Sequence, residues 1–368
     1  MTVRQTMEYA SHKSAHATRQ SRQQMNKNIF YTLLIMFCFS SANAETNRQF
    51  EPAPKDENGR YTNQYPNWSK GSTGINIGFL LRRFGTVLRD YQGLPKHVVN
   101  NGEWLRANYE KSTVTWVGHS TLLVQIDGVN FLTDPMWSKT ASPIPPIGPR
   151  RLVKLGLAIE DLPPIDFVVI SHNHYDHMDV PTLKKLFAIN PDTVFFVPMD
   201  NAKLLRKKGI KNVQQMDWGE TVTFKNLVIH CLPSQHWSKR SLTDTNKSGW
   251  ASWAMTSANK RFYFAGDSGY FDGFKKIGEA LGPFDLAAMP IGAYKPQTMM
   301  QSSHMDPEQA VQATLDIQAA KAVAIHFGTF DLADEPINEP PRRFKQAAQA
   351  KLGQENSWVL AIGETQEF

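Results

Sequence analysis

From Ser112 onward the chain alternates short apolar runs with polar breaks. Thr113 to Val117 and Leu122 to Ile126 read as strands, and Asp127-Gly128 sets the second apart from Val129 to Leu132 as a two-residue hairpin turn. An antiparallel start to a domain is therefore expected. Further β-rich runs follow at Phe167 to Ile170, Val194 to Val197, Leu227 to Leu232, Trp250 to Met255, Phe262 to Phe264, Leu286 to Ile291, Val323 to Ile325 and Trp358 to Ile362. Pro181 to Ile189 is helix-like. Asp306-Pro307-Glu308-Gln309 supplies an N-cap, a proline at the first helical position and an N3 glutamine ahead of Val311, Thr314 and Leu315. Strands first, then strands mixed with helices, predict an α/β domain of sheets covered by helices.

Ahead of this domain, residues 45 to about 110 mix Pro, Asn, Gly and charge irregularly, with one helix-like apolar patch from Ile77 to Val87. Trp68, Phe79 and Leu80 are residues that solvated linkers lack, so an N-terminal extension packed on the 111–368 domain is expected rather than a flexible linker. At the start, Lys27 precedes the apolar run Ile29 to Phe39, and Ala42-Asn43-Ala44 is a small-x-small cleavage pattern. Residues 1–44 therefore read as a leader removed before Glu45, with export to the periplasm or cell envelope. A retained anchor is the alternative, against the run's falling short of the roughly 20 apolar residues that span a bilayer.

Charge changes little beyond this. The chain has 368 residues, 41% hydrophobic and 20% charged, an ordinary globular balance with 40 bases against 34 acids. Five of those bases (Arg4, Lys13, Arg19, Arg22, Lys27) and one acid, Glu8, lie in the leader, so the remainder is nearly neutral and no nucleic-acid partner is expected. Cys231 is the one cysteine beyond the leader, which leaves no intrachain disulfide.

The chemistry concentrates in Ser171-His172-Asn173-His174-Tyr175-Asp176-His177-Met178-Asp179, a strand-end loop. Three imidazoles and one carboxylate within the six residues His172 to His177 suit a borderline-soft divalent ion better than a core or a solvated turn. Four later residues each follow an apolar run: His236, Asp267, His304 and His326. Taken singly, each stays open: His236 as a surface or core histidine, Asp267 as a helix cap or a bridging ligand after Gly266, and His326 as ligand or not. His230 alternates with apolar neighbours and reads as a packed core histidine.

The ordered series Trp116-Val117-Gly118-His119-Ser120, Phe131 to Pro135, Ser171 to Asp179, Pro233 to Trp237, Phe264 to Tyr270, Pro290 to Tyr294, His304 to Glu308 and Ile325 to Phe330 resembles the metallo-β-lactamase superfamily. More narrowly, it is similar to the N-acyl-phosphatidylethanolamine phospholipase D branch. The resemblance implies an αββα sandwich of two mixed β-sheets flanked by helices. It implies that His172, His174 and His236 bind one ion, that Asp176, His177 and His326 bind the other, and that Asp267 bridges both. Two divalent ions are expected, zinc before manganese or iron, because five histidines and two aspartates offer nitrogen and oxygen without thiolate.

His304 matches a non-ligand histidine suited to holding a substrate phosphate, with capping of the helix at Asp306 as the rival role. His119 is expected to be structural, orienting by hydrogen bonds within the first hairpin rather than ligating. The implied reaction is phosphodiester hydrolysis of phospholipase D type on N-acyl-phosphatidylethanolamine or a related phospholipid, through a metal-bridging hydroxide. One departure, Ile144-Pro145-Pro146-Ile147 in the 138–149 loop, puts apolar residues where polar head-group contacts are expected, and with Trp137 offers a surface that could meet a membrane. The rival activities are lactone or β-lactam opening on the same ions, since this fold supports many reactions, and a noncatalytic metal-binding envelope protein. Structural zinc sites close at four protein ligands, which counts against the second.

Overall fold

The computed structural model describes residues 49–64 and 91–368. The leader with its cleavage site, Trp68 and the Ile77 to Val87 patch lie outside the described residues.

Among the described residues fourteen strands make two seven-stranded sheets. In chain order the first sheet takes β1 (Thr113–Gly118), β2 (Thr121–Ile126), β3 (Val129–Thr133), β4 (Phe167–Val169), β5 (Val194–Pro198) and β6 (Val213–Met216). The second takes β7 (Thr221–Phe224), β8 (Leu227–Leu232), β9 (Ser252–Thr256), β10 (Arg261–Phe264), β11 (Leu286–Pro290), β12 (Ala322–Ile325) and β13 (Ser357–Trp358); β14 (Thr365–Glu367) returns to the first, beside β1. Each sheet has three antiparallel pairings followed by three parallel ones: β14-β1-β2-β3 then β3-β4-β5-β6, and β7-β8-β9-β10 then β10-β11-β12-β13.

The helices among the described residues are α1 (Glu103–Ala107), α2 (Val180–Ile189), α3 (Ala202–Lys207), α4 (Gly273–Leu281), α5 (Gln297–Met300), α6 (Pro307–Asp316) and α7 (Glu339–Lys351). Strand residues of the first sheet divide by pleat. Trp116, Phe131, Phe167, Val169 and Phe196 join a core shared with Trp253, Phe262 and Met289 of the second sheet. Their neighbours Val117, Leu132, Val168 and Val197 join a second core with Leu183 and Leu186 of α2 and Leu205 of α3. Burial on both faces explains why these strands are continuously apolar rather than alternating. On the outside of the second sheet α6 packs on α4, α7 and β11. The architecture is the αββα sandwich of two mixed sheets.

Asp127-Gly128 turns the β2–β3 hairpin with φ of 49° and 75°, as a two-residue turn between right-twisted strands requires. The helix at Pro307 starts with the expected reciprocal bonds between Asp306 and Gln309. The differences fall on polar strands. β6, β7 and β14 lack a continuous apolar run, and β14 pairs with β1 from the far end of the chain. The run Trp358 to Ile362 is strand only at Trp358; beyond it the chain leaves the sheet while Leu360 and Ile362 stay buried. Among the described residues no helix is long and apolar enough to cross a membrane.

Candidate metal centre

The site forms where strands end. β4 runs into Ser171 and the histidine loop, β8 leads to His236, β10 to Asp267 and β12 to His326. Inside the loop, His177 and Met178 both donate backbone N–H groups to the His174 carbonyl, so the chain doubles back and all its ligand-type side chains face one space. Gly266 makes the meeting of the sheets possible. A Cβ there would lie 2.4 Å from that of Ser171, and its φ of 60° suits glycine, so the chain before Asp267 can press against the loop.

All the expected site residues come together. His172 Nε2 lies 2.7 Å from His174 Nδ1, which is 3.3 Å from His236 Nε2. Asp176 Oδ2 lies 3.3 Å from His177 Nε2 and 3.6 Å from His326 Nε2. Between the two groups sits Asp267, whose Oδ2 is 3.1 Å from His177 Nε2, 3.0 Å from His326 Nε2, 3.9 Å from His236 Nε2 and 3.8 Å from His304 Nδ1. Most of these side chains are closed off, but those of His304 and Asp176 remain 13% and 14% exposed and so mark the mouth.

Buried polar atoms normally find partners, and leaving one without costs about 1–3 kcal/mol. Here His177 Nε2, His326 Nε2 and Asp267 Oδ1 are buried and none makes a hydrogen bond. His177 and His326 come close to Asp267 but out of line for a donor. Nitrogen and oxygen atoms that converge without pairing are the donor set of a divalent cation, and the residues fit one.

Electrostatics agree. Burial, then neighbouring imidazoles, hold His172 well below the ordinary histidine pKa; His236, dominated by burial, is also well below it, and His174 is lowered to about 4. These rings are neutral at pH 7, with lone pairs free to ligate. Burial alone would raise Asp176 and Asp267, but His177 and its neighbours outweigh it and keep both carboxylates well below their usual range. In return, Asp267 and Asp176 overcome the effect of burial on His177 and His326, raising the first and bringing the second up to about 9.

A family model described as the beta-lactamase superfamily domain matches residues 129–327, more than half of the chain. The chain belongs to the metallo-β-lactamase superfamily. Within it the chain falls in the N-acyl-phosphatidylethanolamine phospholipase D-like branch. It is 43% identical to N-acyl-phosphatidylethanolamine-hydrolyzing phospholipase D 1 of Caenorhabditis elegans, over 64% of this chain and 70% of that protein. It is 32% identical to the mitochondrial enzyme of that name from Saccharomyces cerevisiae, over 69% of this chain and 55% of the yeast protein. Among solved structures it is similar to Igni18, a metallo hydrolase of Ignicoccus hospitalis, with TM-score 0.54 and 25% identity over 70% of this chain and 99% of that one. The protein is a metal-dependent hydrolase.

The metallo-β-lactamase domain braces this centre with residues that spacing alone did not single out. Asp134, buried with φ of 35°, accepts from Ser171 N (2.7 Å), Ser171 Oγ (2.5 Å) and His177 Nδ1 (2.7 Å). Ser171 Oγ in turn meets His172 Nδ1 at 2.9 Å, and His236 Nδ1 donates to the Ser303 carbonyl at 3.0 Å. The bonds of His172 and His236 place the proton on Nδ1 and turn the Nε2 lone pair inward, and the bond of His177 to Asp134 fixes that ring with Nε2 facing the cluster. Arg240 stacks on Tyr175 and donates to the carbonyls of Asn173 and Met178, clasping the loop at both ends. Asn63, far back in sequence, pairs with both backbone groups of His236. The one signal for Asp134 was its place in the Phe131 to Pro135 motif; contacts across such separations leave none.

Three histidines refine the expectations. His304 directs its ring into the cluster, 5.2 Å from that of His236 and 5.5 Å from that of His326, while Asp306 caps the helix by itself. His119 does not bond within the hairpin through its ring: Nε2 reaches Asp176 at 2.9 Å. His230 is only half-buried and bonds Thr256 Oγ1 on the neighbouring strand, so it is not a core residue.

Proposed function

We propose that this hydrolase is a dinuclear phosphodiesterase of phospholipase D type acting on N-acyl-phosphatidylethanolamine or a closely related phospholipid. The observation that carries the reading is the position of Asp267 Oδ2, within 3.0–3.9 Å of imidazole nitrogens from both ligand groups. One carboxylate between two donor sets is what two neighbouring cations need to offset their repulsion. The similarity to relatives named for hydrolysing N-acyl-phosphatidylethanolamine supports the substrate class.

In this reading His172, His174 and His236 hold one ion, Asp176, His177 and His326 the other, and Asp267 both. Such ions, zinc by the donor chemistry, acidify water and neutralise phosphoryl oxygens. His304, lowered to about 4 chiefly by burial, is neutral at pH 7 and lies at the mouth, where a ring N–H can donate to a non-bridging phosphate oxygen. Water adds across the phosphorus–oxygen ester bond, giving phosphatidate and an N-acylethanolamine. Ile144 and Ile147, 66% and 71% exposed, give this loop an apolar tip of the kind that enters a lipid surface.

The deciding experiment is turnover by one metal-saturated preparation on N-acyl-phosphatidylethanolamine, a simple phosphodiester, a lactone and a β-lactam. Preference for the lipid is the expected result. An inert lipid beside a rapidly opened lactone would overturn the substrate assignment and leave the metal site standing. Substitution of Ile144 and Ile147 by Asp should weaken binding to phospholipid vesicles while leaving turnover of a soluble phosphodiester unchanged. Export to the periplasm or envelope is the matching location, and N-terminal mapping of protein from envelope fractions should begin at or near Glu45; recovery with Ile29 to Phe39 still attached points to an anchor.

A further inference from the structure

His119 is a buried residue in an unusual backbone state. It follows Gly118, φ 134°, where the pairing of β1 with β2 shifts register, and its own φ of 55° is sparsely populated by residues with a Cβ. Such conformations persist where surroundings over-determine them, and these do. Its N–H donates to Thr329 Oγ1 (2.7 Å), and its carbonyl accepts from Trp116 Nε1 (2.9 Å) and from the backbone N–H of His326 (3.1 Å). Trp116 itself stacks on Phe327.

The ring is equally confined. Its centroid lies 4.3 Å from that of His326, 5.2 Å from that of His177 and 5.2 Å, edge-on, from that of Phe330. Its Nε2 meets Asp176 Oδ2 at 2.9 Å, the same oxygen that faces His177 and His326. His119 thus touches every member of one ligand group: Asp176 by hydrogen bond, His326 by backbone bond and a tilted ring contact, and His177 by a tilted ring contact. No such contact links it to His174 or His236.

We infer that His119 is the positioning residue of the Asp176–His177–His326 group, donating its Nε2–H to aim Asp176 Oδ2 at the cation, so that one of two ion sites depends on it and the other does not. The inference rests on the dinuclear reading above. Ligation by His119 itself is the competing role, but its Nε2 already points at a carboxylate within hydrogen-bond range.

The test is a zinc titration of full-length protein with metal counted per chain, on the wild type and on His119→Leu and His119→Gln. The wild type should take two ions. His119→Leu should keep one site at wild-type affinity and lose about 10–100-fold at the other, the effect of removing an outer hydrogen bond to a ligand. His119→Gln, whose amide nitrogen reaches the place of the imidazole Nε2, should recover most of that loss. The readout is the ratio of the two affinities, which general weakening of the fold would not shift selectively. Unchanged affinity in His119→Leu, equal weakening of both sites, or a His119→Gln protein as weak as His119→Leu each overturns the inference while the two-ion reading stands. A single ion on the wild type overturns both.

Discussion

The two donor groups of the candidate centre are held in opposite ways. His172, His174 and His236 form an all-nitrogen group in which His172 and His236 lean on neutral acceptors, Ser171 Oγ and the Ser303 carbonyl. Asp176, His177 and His326 form a mixed group tied by charge: His177 lies between the carboxylates of Asp134 and Asp267, and Asp176 between His119 and two ligand-type rings. Burial keeps the first group neutral, whereas carboxylates drive protons onto the second. The first is ready for a cation at neutral pH. The second must release protons to take one, and in the metal-free protein its ion pairs take the cation's place.

Asp267 is where the comparison breaks most completely, since its Oδ2 faces imidazoles of both groups. Asp267→Asn should lower kcat/KM by more than about 100-fold, beyond the usual loss for an outer-shell partner, with the circular dichroism of the folded protein retained. Activity within tenfold of wild type would mean that neither group needs the bridge. His304 stands between the groups without being assigned to either. His304→Ala should cost roughly 100-fold in kcat on phosphodiesters while metal content stays at wild-type level. A fall in melting temperature with unchanged turnover per folded molecule would make it a support for the helix start instead.

Asp134 separates the groups more finely. Asp134→Asn leaves a hydrogen-bond acceptor beside His177 but removes the charge, and should weaken metal binding in the mixed group by roughly 10-fold, with a smaller effect on His172 through Ser171. Equal weakening in both groups, resolved by titration, would make Asp134 a general brace.

The smallest expected effect is a pH dependence of metal-free stability. His326, raised to about 9, contributes stability that is complete below its unfolded pKa near 6.5 and is lost as pH rises through about 9. His174, lowered to about 4, contributes stability that is complete above 6.5 and is lost as pH falls toward 4. Chelated protein should therefore melt highest between these windows, with the alkaline limb belonging to the mixed group and the acid limb to the nitrogen group. Metal-loaded protein should lose the alkaline limb first, and a flat alkaline side in the chelated protein would contradict the charge-tied picture.

How much of this was readable in advance follows from the range of each signal. The apolar strands of the sandwich other than the Trp358 to Ile362 run, the Asp127-Gly128 turn and the Asp306 capping box depend on neighbours a few residues away, and they form where the pattern placed them. The polar strands β7 and β14 exist because partners were already waiting, which periodicity does not record. The donor residues were legible as well, because a run such as His172 to His177 has few uses other than holding a cation. What holds those donors in place was not. Asp134 meets His177 from 43 residues away, His119 meets Asp176 from 57 and Asn63 meets His236 from 173. Sequence determined which atoms were available to a metal and roughly where each strand would end. Tertiary structure decided which carboxylate faces which ring, and so which rings stay neutral, because charge and burial act through space over a few ångströms whatever the separation along the chain.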